Sequence, residues 1–133
     1  MTIDNNIELV KDFYRLIEEN DYEAVKTLCH DDFTAYFQVD TPLNTDDFLT
    51  QEKGIMDGFP GFTLRIHDVF AHDDKVACYM MYEGVHTVDI HDLPATNNSV
   101  RISLMMLLTI RDGKIFEKRA HYDKANLFQQ LNR

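Results

Sequence analysis

Residues 99–123, SVRISLMMLLTIRDGKIFEKRAHYD, contain the pattern that decides the fold. The stretch begins with a long run rich in apolar residues, breaks at Asp112-Gly113, and continues with a second run in which side-chain types alternate. An Asp-Gly pair between two such runs is a strong signal for a tight hairpin turn. The pattern therefore predicts two long antiparallel strands, at 99–111 and 115–123, joined by that turn.

The rest of the chain divides into helices first and strands afterwards. Apolar residues at helical spacing predict an amphipathic helix from Ile3 to Ile17, and a short helix capped by Asp21 follows it. A strand is predicted at 33–39, and a third helix begins near Thr45, taken as its N-cap, and stops at 58–61. Two more strands are predicted at 62–71 and 76–87. This order is typical of an α+β fold whose helices pack on one face of an antiparallel meander.

Composition excludes several classes of protein and of partner. The chain has 133 residues, enough to bury one core, and is predicted to form a single domain over 1–133. Thirteen Lys and Arg against 23 Asp and Glu give a formal charge of −10, which argues against nucleic acid and anionic membranes as partners. No apolar run approaches the ~20 residues that span a bilayer, and the first ten residues do not resemble a signal peptide.

Cysteine and histidine usage also limits the chemistry. Cys29 and Cys78 are predicted to be buried, reduced thiols, which favours a cytoplasmic protein. The histidines show no spacing typical of metal ligands, and phosphate-binding loops, dinucleotide motifs and serine or cysteine nucleophile motifs are absent. We therefore expect neither a metal nor a cofactor.

Several short strings, taken in their order along the chain, resemble the SnoaL-like polyketide cyclases and predicted ester cyclases of the nuclear transport factor 2-like superfamily. They are Phe13-Tyr14, the Asn20-Asp21 break, Phe59-Pro60, Asp74-Lys75-Val76, Gly84-Val85-His86-Thr87, Leu93-Pro94, Arg111-Asp112-Gly113-Lys114-Ile115, Asp123, and Leu127-Phe128-Gln129-Gln130-Leu131. The resemblance covers nearly the whole chain.

The resemblance implies a cone-shaped, strongly curved antiparallel sheet wrapped by about three N-terminal helices, the cystatin-like α+β architecture. It also implies an apolar cavity and a homodimer formed through the outer face of the sheet. Apolar residues on both faces of the strand at 99–111, Met105 and Leu107 against Met106 and Leu108, agree with a covered outer face. Isomerases, epoxide hydrolases, cyclases and noncatalytic binding modules share this fold, so the fold does not fix the function.

The last strand supplies the catalytic candidates. Strict alternation places Glu117, Arg119, His121 and Asp123 on one face. By itself such a polar face is typical of a solvated surface. The resemblance favours an inward orientation, because Asp123 matches the acidic residue that such cyclases use as acid and base, and Arg119 stands where an inward Trp is common. His86 is a further candidate, with a purely structural role as its alternative.

An inward-facing Asp123 is expected to abstract a proton alpha to a carbonyl, while His121 or His86 donates a hydrogen bond to the enolate. The predicted wall of the substrate pocket is apolar and aromatic, although each member is equally compatible with core packing: Tyr14, Phe37, Met56, Phe59, Met80, Tyr82, Met106 and Leu108. Phe37 and Met106 replace the two acidic residues of ketosteroid isomerases, which argues against steroid isomerisation.

The sequence thus predicts a cofactor-independent acid/base cyclase, acting by intramolecular aldol addition, or an isomerase for a small hydrophobic carbonyl compound, with Asp123 as its base. One alternative is a noncatalytic ligand-binding or dimerisation module, favoured if the four polar residues of the last strand are exposed or bind one another as a structural network. Another is a hydrolytic enzyme that activates water, for which no second carboxylate is clearly placed.

Overall fold

The fold is known from a computed structural model, which describes residues 2–37, 40–91 and 93–133. Helices and strands follow the order α1 (Ile3–Glu18), α2 (Tyr22–Thr27), β1 (Cys29–Tyr36), α3 (Thr45–Met56), β2 (Thr63–His72), β3 (Lys75–Val85), β4 (Ser99–Arg111), β5 (Lys114–Tyr122) and α4 (Lys124–Leu131). The predicted α+β class is confirmed. Across the described ranges, no helix is both long and apolar enough to cross a membrane.

Short polar side chains cap the helices. Thr2, Asp21, Asn44 and Asp123 each accept a hydrogen bond from a backbone N–H in the first turn of the helix that follows. The cap of α3 is therefore Asn44, and the prediction of Thr45 is wrong by one residue. The sequence pattern predicts Asp123 as the end of the last strand. In the structure, Asp123 is instead the N-cap of a fourth helix, α4, which the pattern did not indicate. This capping bond uses one oxygen of its carboxylate.

The strands form one five-stranded sheet in the order β1-β5-β4-β3-β2. Strands β2 to β5 pair antiparallel with their neighbours, which confirms the predicted meander. Strand β1 pairs with β5 in the parallel direction and begins at Cys29, earlier than predicted; the predicted end at Val39 lies outside the described residues. Asp112 and Gly113 have φ of 54° and 72°, the positive values that a tight type I′ hairpin turn requires at both positions.

One extra residue in β5 reverses the alternation of that strand. Ile110 pairs with Ile115, but the next residue back along β4, Thr109, pairs with Glu117, so Phe116 is left without a partner opposite it. Side chains at Lys118, Ala120 and Tyr122 therefore lie on the same face of the sheet as the buried even-numbered residues of β4. Without the bulge, the odd-numbered residues from 117 onward would lie on that face.

The core lies between the helices and the inner face of the sheet. Its largest fully buried members are aromatic, and Phe13, Phe33 and Phe37 surround Phe48 with ring centroids 5.4–6.2 Å from it. The two thiols, Cys29 and Cys78, are free and buried, as predicted. The outer face of the sheet exposes Met105 and Leu107.

Replacing Phe13 by Ala tests this account of the core. Phe13 is fully buried in α1 and contacts Tyr14 edge-on at 5.1 Å, so its loss leaves a cavity in the layer between helix and sheet. We expect the free energy of unfolding to fall by about 3–5 kcal/mol in denaturant titrations. The control is Ile3→Ala in the same helix, where the side chain is 47% exposed and the expected change is within about 0.5 kcal/mol. Equal losses in the two variants would contradict this packing.

Candidate active-site cavity

The inner face of the sheet and the helices enclose an apolar cavity of about 260 Å³. Its walls come from α1, α3, the four strands β2 to β5 and α4, together with Phe37 and Phe59 of the connecting segments. The lining residues are Tyr14, Phe37, Gln51, Glu52, Ile55, Met56, Phe59, Leu64, Tyr82, Ile102, Leu104, Met106, Lys118, Ala120, Tyr122, Lys124 and Leu127. Gln51 and Lys124 are exposed, so they mark the side on which the cavity opens.

A lysine lies in this apolar wall. Lys118 is only 2% exposed, because the bulge at Phe116 turns its side chain inward. Its ammonium nitrogen contacts the thioether sulfur of Met106 at 3.8 Å and lies 5.3 Å from the ring centroid of Phe48. Burial lowers the pKa of Lys118, since the charged form loses its hydration, and the nearby Glu52 partly offsets that effect.

A carboxylic acid shares the cavity with this lysine. Glu52 belongs to α3, one turn beyond the buried Phe48, and is 7% exposed. Burial raises the pKa of the Glu52 carboxyl, and the charge of Lys118 opposes the increase. Among the described residues, neither group has an oppositely charged partner within 4.0 Å. The two groups therefore make no direct ion pair, and burial disfavours the charged form of each, while the charge of one still acts on the other.

Phenol groups add hydrogen-bonding capacity to the same walls. The hydroxyls of Tyr14 and Tyr82 are buried and have no hydrogen-bond partner within the described parts of the chain. Burial raises the pKa of Tyr14 well above its ordinary value, with Cys78 and Glu52 adding to the effect, so the phenol keeps its proton. Each of these hydroxyls is an unused donor in a residue that lines the cavity.

The predicted inward orientation of Glu117, Arg119, His121 and Asp123 is wrong. His121 and Asp123 are exposed, and none of the four lines the cavity. Arg119 lies on the outer side, where its guanidinium contacts Asp40 at 3.2 Å and Glu117 at 3.4 Å. The physical reason is the bulge at Phe116, which shifts the alternation by one residue. The four side chains thus match the structural alternative for this face more closely than an acid/base site.

His86 is fully buried, but it is not among the residues that line the cavity. Its Nδ1 accepts a hydrogen bond from the backbone N–H of Thr96 at 3.2 Å, and Phe59 packs against its ring at 5.3 Å. These contacts fix the 93–98 segment beside β3. They are the contacts expected of a structural histidine. Its Nε2 is buried without a hydrogen-bond partner among the described residues, but because His86 does not line the cavity, this nitrogen is not placed to donate to a ligand there.

The structure separates the predicted pocket wall into cavity and core. Cavity-lining members are Tyr14, Phe37, Met56, Phe59, Tyr82 and Met106. Met80 and Leu108 were predicted with them, but both are completely buried away from the cavity. They lie on the inner face of the sheet under the helices, where a side chain packs whether or not a ligand binds.

Sequence reasoning missed the two ionisable groups of the cavity. Glu52 stands in the apolar helical stripe of α3 between Phe48 and Ile55, and a charged residue in such a stripe is a signal for a buried functional group. Lys118 alternates with Ala120 and Tyr122, so its position in the core follows once the bulge is known. No group of His, Cys, Asp and Glu among the described residues is arranged to hold a metal ion.

Solved structures show the same fold at low sequence identity. AclR, a proposed hydroxylase from Streptomyces galilaeus, superposes with a TM-score of 0.89 at 19% identity, covering 98% of each chain. IdmH, a proposed polyketide cyclase from Streptomyces antibioticus, gives 0.84 at 20% identity over 96% of this chain and 99% of its own. A LEH-like epoxide hydrolase from M. tuberculosis gives 0.77 at 19% identity over 98% and 92%.

These structures support the nuclear transport factor 2-like fold and carry no assignment of activity. No curated protein sequence matches the chain at a significant level. The family model described as SnoaL-like polyketide cyclase matches residues 8–131, nearly the entire length. The chain therefore belongs to the SnoaL-like polyketide cyclase family.

Proposed function

We propose that this protein is a cofactor-independent acid/base enzyme that moves a proton alpha to the carbonyl of a small hydrophobic compound, in a cyclisation or an isomerisation. The observation that carries the proposal is the burial of Glu52 and Lys118 in the wall of one apolar cavity. Ionisable groups with perturbed pKa values in a concave site are the usual mark of catalytic acids and bases.

Glu52 is the proposed base. Burial raises the pKa of its carboxyl, which brings the carboxylate closer in basicity to a carbon acid than an exposed glutamate would be. In its ionised form, Glu52 carries a negative charge in an apolar surrounding and takes the alpha proton. The protonated carboxyl then returns that proton to another atom of the substrate, as an isomerisation requires.

Lys118 and the phenols stabilise the enolate that results. The ammonium of Lys118 supplies a positive charge inside the cavity, and Tyr14 and Tyr82 supply hydroxyl donors that no described protein group uses. Donors held in place before the reaction act where negative charge develops on the carbonyl oxygen, and this is the step at which they contribute most. The proposed roles of Asp123, His121 and Arg119 thereby pass to Glu52, Lys118 and the two tyrosines.

The apolar walls favour a hydrophobic substrate of modest size. Flexible or flat apolar surface comes from the side chains of Met56, Phe59, Ile102 and Leu104. A cavity of about 260 Å³ holds a compact molecule. A substrate with two carbonyl groups would close a ring when the enolate formed at one carbon attacks the second carbonyl. This is the intramolecular aldol reaction, which fits the name of the family.

Exchange of the alpha protons of a small aryl ketone in D2O tests the base directly. We expect the wild-type protein to accelerate the exchange, followed by proton NMR, and Glu52→Gln to reduce the rate by about 10²–10⁴-fold, since the amide cannot accept the proton. Asp123→Asn is the matched control and should keep the wild-type rate, because Asp123 is exposed and caps α4.

Two results would count against this assignment. Loss of exchange in Asp123→Asn together with wild-type exchange in Glu52→Gln would return the role of base to Asp123. Absence of exchange in the wild-type protein across a panel of aryl and alkyl ketones, each shown to bind by NMR line broadening, would favour the noncatalytic binding module instead.

We also propose that two copies of this chain associate through the outer face of the sheet. Register places Tyr79, Met105 and His121 in one row across β3, β4 and β5, and Phe70, Ala77 and Leu107 in a neighbouring row. Phe70, Met105 and Leu107 are 69%, 52% and 41% exposed, a concentration of apolar surface that is costly in water.

We further propose the cytoplasm as the compartment of this protein, which the free thiols of Cys29 and Cys78 support.

Sedimentation velocity at micromolar concentration tests the dimer. The wild-type protein should sediment as a dimer, and Met105→Glu should sediment as a monomer, because a carboxylate in the centre of the apolar rows would lose its hydration on association. Ile3→Glu, an equally exposed apolar position in α1, should remain dimeric. A wild-type monomer would contradict the proposal.

A further inference from the structure

We infer that Lys118 acts as a nucleophile and forms a Schiff base with the carbonyl group of the substrate. This inference rests on the proposed function, since it assigns a covalent route to the same cavity and narrows the substrate class to accessible aldehydes and ketones. The observation behind it is the placement of a primary amine in an apolar cavity wall with no carboxylate holding it.

The amine of Lys118 differs in its contacts from the lysines that form ion pairs on the surface. Lys53 binds Asp57 at 2.6 Å and Lys26 binds Asp46 at 3.0 Å. The nitrogen of Lys118 has the sulfur of Met106 at 3.8 Å, a weak acceptor, as its contact. Within the part of the chain that the structure describes, no carboxylate lies within 4.0 Å of it.

Loss of hydration favours the neutral form of this amine. The ring centroids of Phe48, Phe37 and Tyr14 lie 5.3, 5.6 and 5.8 Å away, and their attraction for a cation replaces only part of the lost hydration. A lysine desolvated in this way is a recognised route to an activated amine nucleophile. Burial likewise favours the protonated carboxyl of Glu52, so both groups of the cavity can be neutral at once.

The reaction balances with the two groups already present. The lone pair of the Lys118 nitrogen attacks the carbonyl carbon, and a proton moves from nitrogen to oxygen to give a carbinolamine. Glu52 then donates its proton to the departing hydroxyl, so that one water is released and a protonated imine forms beside the Glu52 carboxylate. No oxidant, reductant or additional reactant is needed.

The covalent intermediate also improves the next step. The positive nitrogen of the imine withdraws electrons from the alpha carbon, and the newly formed Glu52 carboxylate lies in the same cavity to accept the alpha proton. The product is an enamine, whose carbon can attack a second carbonyl of the same substrate and close a ring. This step restores the imine, and the Glu52 carboxyl gives its proton to the alkoxide that forms. Water then hydrolyses the imine and regenerates the Lys118 amine.

A small 1,3-diketone, acetylacetone, is the probe for this inference. It condenses with an unprotonated lysine to give a conjugated enaminone, which absorbs in the near ultraviolet and adds a fixed mass. With the 133-residue chain near neutral pH, we expect one equivalent of enaminone per chain, located on Lys118 by mass spectrometry of chymotryptic peptides. The band and the mass shift should be lost in Lys118→Met, an apolar replacement of similar shape that we expect to fold.

The control variant is Lys11→Met, which removes an exposed lysine of α1 and should react as the wild type does. Reaction of Lys118→Met at the wild-type level, or absence of enaminone at Lys118 in the wild type, would overturn the inference. The ketone exchange assay separates this failure from that of the proposed function. Exchange that depends on Glu52, without any labelling of Lys118, would leave proton abstraction in place and remove only the Schiff base.

Discussion

One unpaired residue, Phe116, determines which side chains of the last strand enter the interior. Because Ile115 and Glu117 pair with successive residues of β4, the strand after the bulge directs Lys118, Ala120 and Tyr122 inward. Side chains of the two neighbouring strands hold Phe116 in place, since Arg111 of β4 lies 3.9 Å over its ring and His30 of β1 meets its edge at 5.2 Å. The bulge therefore positions the lysine on which the chemistry of the cavity depends.

A buried lysine and a buried glutamate are costly to keep. Each charge loses its hydration in the apolar wall, and removing either member of the pair would leave the other uncompensated. Stability alone would favour two apolar residues in these places, because the buried remainder of the lining is mainly aliphatic and aromatic. The pair is thus best explained by what it does to a bound molecule, and the two proposals assign that task to proton transfer and to covalent capture of a carbonyl.

The sequence predicted the architecture better than the site. Helical spacing in α1, the Asp112-Gly113 turn and the long strands are local patterns, and all of them appear in the structure close to their predicted bounds. The orientation of the β5 side chains depends on a bulge in the pairing of β5 with β4. The alternation of residue types along β5 alone does not show that Phe116 has no partner on β4. For the same reason Asp123 was assigned to an inward face, whereas one of its oxygens caps α4.

The central claim is that Glu52 and Lys118 form a coupled pair inside the cavity. Site-resolved NMR titration of the Lys118 nitrogen and the Glu52 carboxyl carbon measures this directly. The account predicts that Lys118 loses its proton at a lower pH than the exposed lysines, that the Glu52 carboxyl loses its proton at a higher pH than exposed glutamates, and that Glu52→Gln shifts the Lys118 titration further down. The coupled pair would be contradicted if Lys118 and Glu52 titrated at the same pH as exposed lysines and glutamates, and if replacing one of them left the titration of the other unchanged.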